Sequence, residues 1–151
     1  MCKTESFITR IKTLITGKQK QLYINNLLTS NKKGWVDLKA EGHLKKAKKI
    51  EKSAEKLDPE ADSELIIEGL YGAAHHYIAY ALQTRHDEHS DKHSQDPVFL
   101  KKYGYHDIRS KFEVLDSLRA GNFYGGRTNG ERIRKAKQLL IEIKEWGVAE
   151  L

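Results

Sequence analysis

One long segment without proline constrains the fold of this chain more than any other feature. Residues 63–85, SELIIEGLYGAAHHYIAYALQTR, are apolar around much of a helical circumference, which is typical of a helix buried in a core. Ser63 is a reasonable N-cap, since an acidic residue follows it in the first turn. Four small residues fall within two turns and would let a neighbouring backbone come close: Gly69, Gly72, Ala73 and Ala74. We expect a central helix packed tightly against a second one.

Further amphipathic segments surround this one and predict an all-α protein. The chain has two prolines and 32% charged residues, a composition that favours helices. Apolar spacing predicts a helix from near Asp37 to Leu57, one beginning near His106, and one from an N-cap at Thr128 to Gly147. The expected buried residues are Leu44, Ala47, Ala54, Leu57, Ile108, Phe112, Leu115, Leu118, Ile133, Ala136, Leu140 and Ile143. The polar residues 86–97 predict a loop or a frayed helix end.

The positive charge of the chain is concentrated toward its beginning. Residues 1–57 hold 14 Lys or Arg against 5 Asp or Glu, whereas residues 58–151 hold 13 against 16. The densest run contains Lys45, Lys46, Lys48 and Lys49, and such a field attracts a phosphate backbone. These lysines are candidate nucleic-acid contacts, and the alternative is a solvated helix face. A linker-like stretch near residue 33 divides the expected N-terminal helical extension, 1–33, from the main domain, 34–151.

Several classes of function have no support in the sequence. No run of residues approaches the roughly 18 to 20 apolar positions that span a bilayer. Because Met1 is followed by polar residues rather than an apolar signal sequence, we expect a cytoplasmic protein without a membrane partner. Cys2 is the only cysteine, so no internal disulfide forms. Phosphate-loop, nucleophile-elbow and zinc-protease motifs are missing, and we expect no cofactor.

The histidines form a second group of candidate residues. His86, His89 and His93 are three and four residues apart, so a continuous helix would project them within one arc. This arc could hold a divalent metal, although so polar a stretch need not be helical. His75 and His76 lie in the middle of the central segment, and we expect one of them to face the core with a buried hydrogen-bonding partner.

The stretch RAGNFYGG, residues 119–126, allows two interpretations. Arg119 can end its helix, where a cation suits the helix dipole, while the glycines turn the chain into the last helix. Alternatively, Arg119 and Arg127 bind phosphate and Tyr124 stacks on a base. Both interpretations can hold together.

About two thirds of the chain, from near Ala40 to Trp146, resembles the HEPN superfamily of small prokaryotic helical domains. The stretches GHLKKAKKIEKSAEKL, EGLYGAAHHYIAYAL, YHDIRSKFEVLDSLR and RAGNFYGGRTNGERIRKAKQLL are similar to its successive helices. The resemblance implies an up-and-down four-helix-bundle-like HEPN domain that is a homodimer. It also implies association with RNA or with a minimal nucleotidyltransferase partner, as in toxin–antitoxin pairs.

The catalytic signature of that family is absent. Active HEPN ribonucleases carry an arginine followed five positions later by a histidine, but Arg119 is followed by Tyr124 and no other arginine has the histidine. A tyrosine of ordinary pKa is a poor replacement at neutral pH. The sequence therefore favours a non-catalytic binding and interaction module. The alternatives are a degenerate RNA endonuclease using Arg119, His106 and Tyr124, and a metal-dependent hydrolase using His86, His89 and His93.

Overall fold

The computed structural model describes residues 39–90, 92–123 and 130–149, and for residues 121–123 it describes the backbone alone. The chain divides between Trp35 and Val36 into two units, and every described residue belongs to the second. Residues 39–54 form helix α1. The later helices are α2 (Ser63–His86), a 3₁₀ turn (His93–Gln95), α3 (Asp96–Lys102), α4 (His106–Phe123) and α5 (Gly130–Val148). The described part of the chain contains no strand, and the fold is all-α.

Helix α2 is the centre of the core, as its composition predicts. It packs against α5, α4 and α3, and most of its residues are buried. The core formed with its neighbours contains almost every apolar residue expected from the helical spacing, with Leu44, Leu57 and Leu118 partly buried at its edge. The prediction of a central buried helix is confirmed.

The small residues of α2 allow the close approach that the sequence predicts. A Cβ on Gly69 would lie 3.2 Å from Cβ of Ala54, so Gly69 is the point where α1 rests on α2. A Cβ on Gly147 of α5 would lie 3.2 Å from the carbonyl oxygen of Tyr77. The backbones of α5 and α2 therefore meet at a position that only glycine fits without a shift.

A polar connection ties three helices together beside these contacts. The hydroxyl of Tyr77 donates a hydrogen bond to Oε2 of Glu51 over 2.6 Å. The Nζ of Lys144 lies 2.9 and 3.0 Å from the two oxygens of the same carboxylate. Glu51 of α1 thereby joins α2 and α5, and its charge is balanced where the side chain is largely enclosed.

The chain reverses direction sharply after α2. Asp87 adopts a left-handed conformation with φ of 57°, and its N–H donates to the carbonyl of Gln83. Residues 88–90 and 92–95 then return along α2, and Pro97 stands in the first turn of α3, where a missing N–H costs nothing. Gly104, with φ of 78°, turns the chain again into α4. The return segment brings polar residues back against the central helix.

Some element boundaries differ from the predictions. The N-cap of α2 is Asp62 rather than Ser63, and it makes no side-chain capping bond because its carboxylate instead accepts the N–H of Asp58. Helix α3 lies inside the polar and aromatic region for which no helix was predicted. Helix α4 continues to Phe123, so the interpretation that Arg119 ends its helix is wrong. The expected cap at Thr128 lies outside the described residues.

Membrane insertion has no support among the described helices, because none of them is both long and apolar enough to cross a bilayer.

Candidate functional site

The candidate site begins with two stacked aromatic rings and one arginine at the edge of the core. Tyr71 of α2 stacks on Phe112 of α4 with ring centroids 4.9 Å apart. The guanidinium carbon of Arg119, two turns further along α4, lies 4.6 Å from the centroid of the Tyr71 ring. This cation–π contact holds the arginine over a buried, rigid platform.

Two carboxylates also hold Arg119. Its Nε and Nη2 lie 3.0 and 2.9 Å from Oδ1 of Asp116. Its Nη1 is 3.6 Å from Oε2 of Glu68, a distance too long for a hydrogen bond. That Glu68 oxygen is enclosed and makes no hydrogen bond within the described structure. Asp116 therefore fixes one edge of the guanidinium, and the Nη1 edge is only loosely engaged.

A buried histidine–aspartate pair lies one turn from Tyr71. Nδ1 of His75 is 2.5 Å from Oδ2 of Asp96, and the two residues are 3% and 0% exposed. Burial raises the pKa of the Asp96 carboxyl, while the hydrogen bond and charge of His75 act in the opposite direction. The other oxygen, Oδ1, makes no hydrogen bond within the described structure. The expectation that one of the paired histidines has a buried partner is confirmed for His75.

His93 connects this buried pair with the arginine. Its ring centroid is 4.1 Å from that of His75 and 5.3 Å from that of Tyr71. Arg119 contacts the same tyrosine ring. The two contacts therefore limit the distance between the His93 ring and the Arg119 guanidinium to about 10 Å. The pKa of His93 is lowered, mainly because the ring is partly removed from water. The charges of His75 and Arg119 lower this pKa further, while those of Glu68 and Asp116 raise it. A surface imidazole and a guanidinium thus contact the same tyrosine ring, and the imidazole also contacts the His75 ring that holds the buried Asp96 carboxylate.

The remaining histidines extend the group toward α1. Nδ1 of His43 lies 3.0 Å from Nδ1 of His76, and the His43 ring is 4.7 Å from that of His89. Burial first, and then the charges of His75, His43 and Lys46, lower the pKa of His76 to about 3. One nitrogen of the 3.0 Å contact must donate and the other accept. We call the five residues His43, His75, His76, His89 and His93 the histidine cluster.

The structure does not gather the predicted metal-binding histidines at one point. His86 stacks on Tyr103 with ring centroids 3.7 Å apart and lies within hydrogen-bonding distance of the Tyr105 hydroxyl. His89 contacts Gln83 and His43, and His93 lies against His75. The helix ends at His86 because Asp87 turns left-handed. Within the described ranges, no three or more His, Cys, Asp or Glu residues are arranged to hold a metal ion.

The other predicted residues are also separated. His106 begins α4 and Arg119 lies thirteen residues along the same helix, a separation of about 20 Å at 1.5 Å per residue. Tyr124 and Arg127 lie outside the described residues. Four side chains on α1 are exposed, as a solvated or nucleic-acid-binding face requires: Lys45, Lys46, Lys48 and Lys49.

Three residues of the site were not singled out in the sequence: Tyr71, Glu68 and Asp96. A local signal existed for Tyr71, which lies four residues before His75 and hence on the same helix face. Asp96 precedes Pro97, a pair typical of a helix start. No local pattern placed either residue next to His93.

Compared with family models, with curated proteins and with solved structures, the chain has no match. The resemblance to the HEPN superfamily therefore stays a prediction.

Proposed function

We propose that this chain is an HEPN-like helical domain that binds RNA and cleaves it without a metal, using His93 and Arg119. The observation that carries the proposal is the shared contact of His93 and Arg119 with the ring of Tyr71. The family motif would have supplied the histidine five residues after the arginine. Here His93, from the segment that precedes α3, contacts the same tyrosine ring as Arg119.

The chemistry assigns His93 the role of general base. Its lowered pKa favours the neutral imidazole at neutral pH, the form that accepts a proton. The imidazole takes the proton of a ribose 2′-hydroxyl, and the 2′-oxygen attacks phosphorus. The bond from phosphorus to the 5′-oxygen breaks, and that oxygen takes a proton from water. The products are a 2′,3′-cyclic phosphate and a 5′-hydroxyl end.

The surrounding groups support each charge that develops. Arg119 stabilises the negative charge on the pentacoordinate phosphorus, a role for which a preorganised cation is effective. Phosphate approaches its Nη1 edge and replaces the loose contact with Glu68, while Asp116 keeps the other edge in place. The Asp96 carboxylate behind His75 offsets the positive charge that His93 acquires. The pair thus positions and stabilises the base without touching substrate.

The basic face of α1 supports RNA as the ligand, because RNA is a polyanion. The charge of Lys46 acts on His76, so the lysine face reaches the edge of the histidine cluster. Lysines on such a face hold a phosphate backbone without reading its sequence.

The test is cleavage of a 5′-labelled single-stranded RNA in the presence of EDTA, with the same sequence as DNA in parallel. We expect the RNA alone to be cleaved, since DNA lacks the attacking hydroxyl. His93→Ala should lower the rate by about 10²- to 10⁴-fold, and Arg119→Ala by about 10²- to 10³-fold. His106→Ala is the matched control and should leave the rate unchanged. An inactive wild-type protein, or a rate that His93→Ala leaves intact, contradicts the proposal.

A binding role without cleavage is the second candidate function. It is favoured by the ion pairs of Arg119 with two carboxylates, because a paired guanidinium also serves to hold α4 on α2. RNA binding that weakens steeply with salt, with no cleavage, would support this role. The homodimer and the nucleotidyltransferase partner stay predictions, which sedimentation of the pure protein and co-purification would test.

A further inference from the structure

An apolar groove runs between α1 and α2 on the surface beside the histidine cluster. Its volume is about 600 Å³. Its walls and floor consist of Gly42, Lys45, Lys46, Lys49, Ile50, Ser53, Ala54, Leu57, Leu65 and Gly69. Leu65 of α2 is 61% exposed at its rim. Apolar surface bordered by polar side chains is a feature of interaction sites.

The charges around the groove all have one sign. Lys45, Lys46 and Lys49 stand along the α1 wall, and none of the described residues that line the groove is acidic. On the α2 side, Leu65 and Gly69 add only apolar surface. The complementary occupant has an apolar stripe for the floor and carboxylates that face the lysines.

The N-terminal part of this chain does not have that charge. Residues 1–35 hold seven Lys or Arg against one Glu, so they would bring positive charge to a positive rim. A second copy placed groove to groove would oppose the same three lysines. The net charge of the whole chain is +6. Charge complementarity therefore favours an acidic segment of another protein as the occupant.

The shape and chemistry of the groove favour a helix over a nucleic acid. Two parallel walls made by helices accept an amphipathic helix through side chains at i, i+3, i+4 and i+7. Single-stranded nucleic acid relies on stacking against aromatic rings, and the groove lining contains no aromatic side chain from the part of the chain that the structure describes. From Gly42 to Ala54 the groove extends for about 18 Å along α1, the length of roughly three helical turns, and Leu57 closes its end.

We propose that this groove binds an acidic amphipathic helix of a partner protein. The partner helix lays its leucine-type side chains between Ile50, Leu57 and Leu65, and its flanking Asp or Glu residues pair with Lys45 and Lys49. This binding site does not include His93 or Arg119 and does not depend on RNA cleavage, although it shares lysines of α1 with the proposed RNA-binding face.

The probe is a synthetic, fluorescently labelled helical peptide of about 16 residues, with Leu at the i, i+3, i+4 and i+7 positions and Glu on both flanks. Fluorescence anisotropy measures its affinity for the full chain. A peptide of the same composition in scrambled order and one with Lys in place of Glu are the controls. We expect the acidic amphipathic peptide to bind at least about tenfold more tightly than either control.

Three variants locate the peptide. Leu65→Glu should weaken binding at least about tenfold, since it places a charge on the rim. The double change Lys45→Glu with Lys49→Glu should weaken binding and reduce its salt dependence. Lys48→Glu is the matched control, because Lys48 is exposed on the same helix and does not line the groove. Leu65 is already exposed, so circular dichroism of Leu65→Glu should match the wild type.

Two outcomes overturn the proposal. One is equal binding of the ordered and scrambled peptides, or binding that Leu65→Glu does not change. The other is a short RNA whose binding is lost in Leu65→Glu while peptide binding is unaffected, which would assign the groove to nucleic acid. The RNA-cleavage assay with His93→Ala tests the other site separately.

Discussion

Removing one hydroxyl from the centre of the fold tests the connection among three helices. In Tyr77→Phe the ring stays in the core, but Glu51 loses the 2.6 Å hydrogen bond from the tyrosine. Hydrogen bonds to charged groups contribute about 1.5 to 3 kcal/mol. Lys144 still contacts both oxygens of Glu51, so we expect the lower part of this range, about 1.5 to 2 kcal/mol.

The loss is measured by urea unfolding, followed by circular dichroism. For a unit of this size it corresponds to a fall in Tm of about 5 to 8 °C. Tyr80→Phe on the same helix is the control and should lose less, because no hydrogen bond of comparable geometry joins Tyr80 to α1. Equal losses in the two variants would refute the assigned role of the Glu51 contact.

The pH dependence gives an independent check. Burial first, and then the hydrogen bond and charge of Glu51, raise the pKa of Tyr77 above its ordinary value of 10. A group whose folded pKa is raised stabilises the fold fully below its unfolded pKa, and this stability is lost as pH rises above it. The difference in unfolding free energy between wild type and Tyr77→Phe should therefore shrink above about pH 10. A difference that grows with pH would contradict the argument.

Three further predictions follow from the packing and the titrating groups. The pKa of His76 is lowered from 6.5 to about 3, so its contribution to stability is present above pH 6.5 and is lost as the pH falls toward 3. In urea titrations, His76→Gln should reduce the loss of unfolding free energy between these two pH values. A loss as large as that of the wild type would contradict the assignment. Gly147→Ala places a Cβ 3.2 Å from a backbone atom of Tyr77 and should destabilise the protein. The Cβ of Gly72→Ala would meet Ile50 at 4.0 Å, so this variant should be more stable than the wild type by about 0.5 to 1 kcal/mol through helix propensity. Thermal melts that rank the two variants in the reverse order would refute the packing argument. Phe112→Ala, which removes a 1% exposed ring stacked on Tyr71, should cost about 3 to 5 kcal/mol, and a urea midpoint close to that of wild type would show that the ring is not part of the core.

The helices were predictable because their signal is local. The 3.6-residue spacing of Ile133, Ala136, Leu140 and Ile143 determines which face of α5 is buried, and the structure buries all four. Composition likewise indicated that α2 is central. The exact end of a helix depends on competition between alternative hydrogen bonds. At Asp62 the carboxylate accepts a hydrogen bond from the preceding turn instead of capping α2.

The candidate site could be predicted only in part, because its members come from distant positions. Arg119 and His93 attracted attention as separate features, one for phosphate and the other for metal. Their proximity depends on the left-handed turn at Asp87, which no local pattern specifies. Asp96 lies in a polar stretch that predicts exposure, yet it is 0% exposed, because the partner that makes its burial tolerable, His75, is on another helix.

Because of the left-handed turn at Asp87, the geometry of the site depends on the number of residues in the segment that follows. Asp96 and His93 reach His75 only because the chain between Asp87 and Pro97 has the length to double back and dock in one register. Adding a residue there would displace the chain by about 3.8 Å, the spacing of adjacent Cα atoms, which is more than a hydrogen bond tolerates. Evolution or engineering can therefore exchange many side chains in this segment more easily than it can lengthen or shorten it.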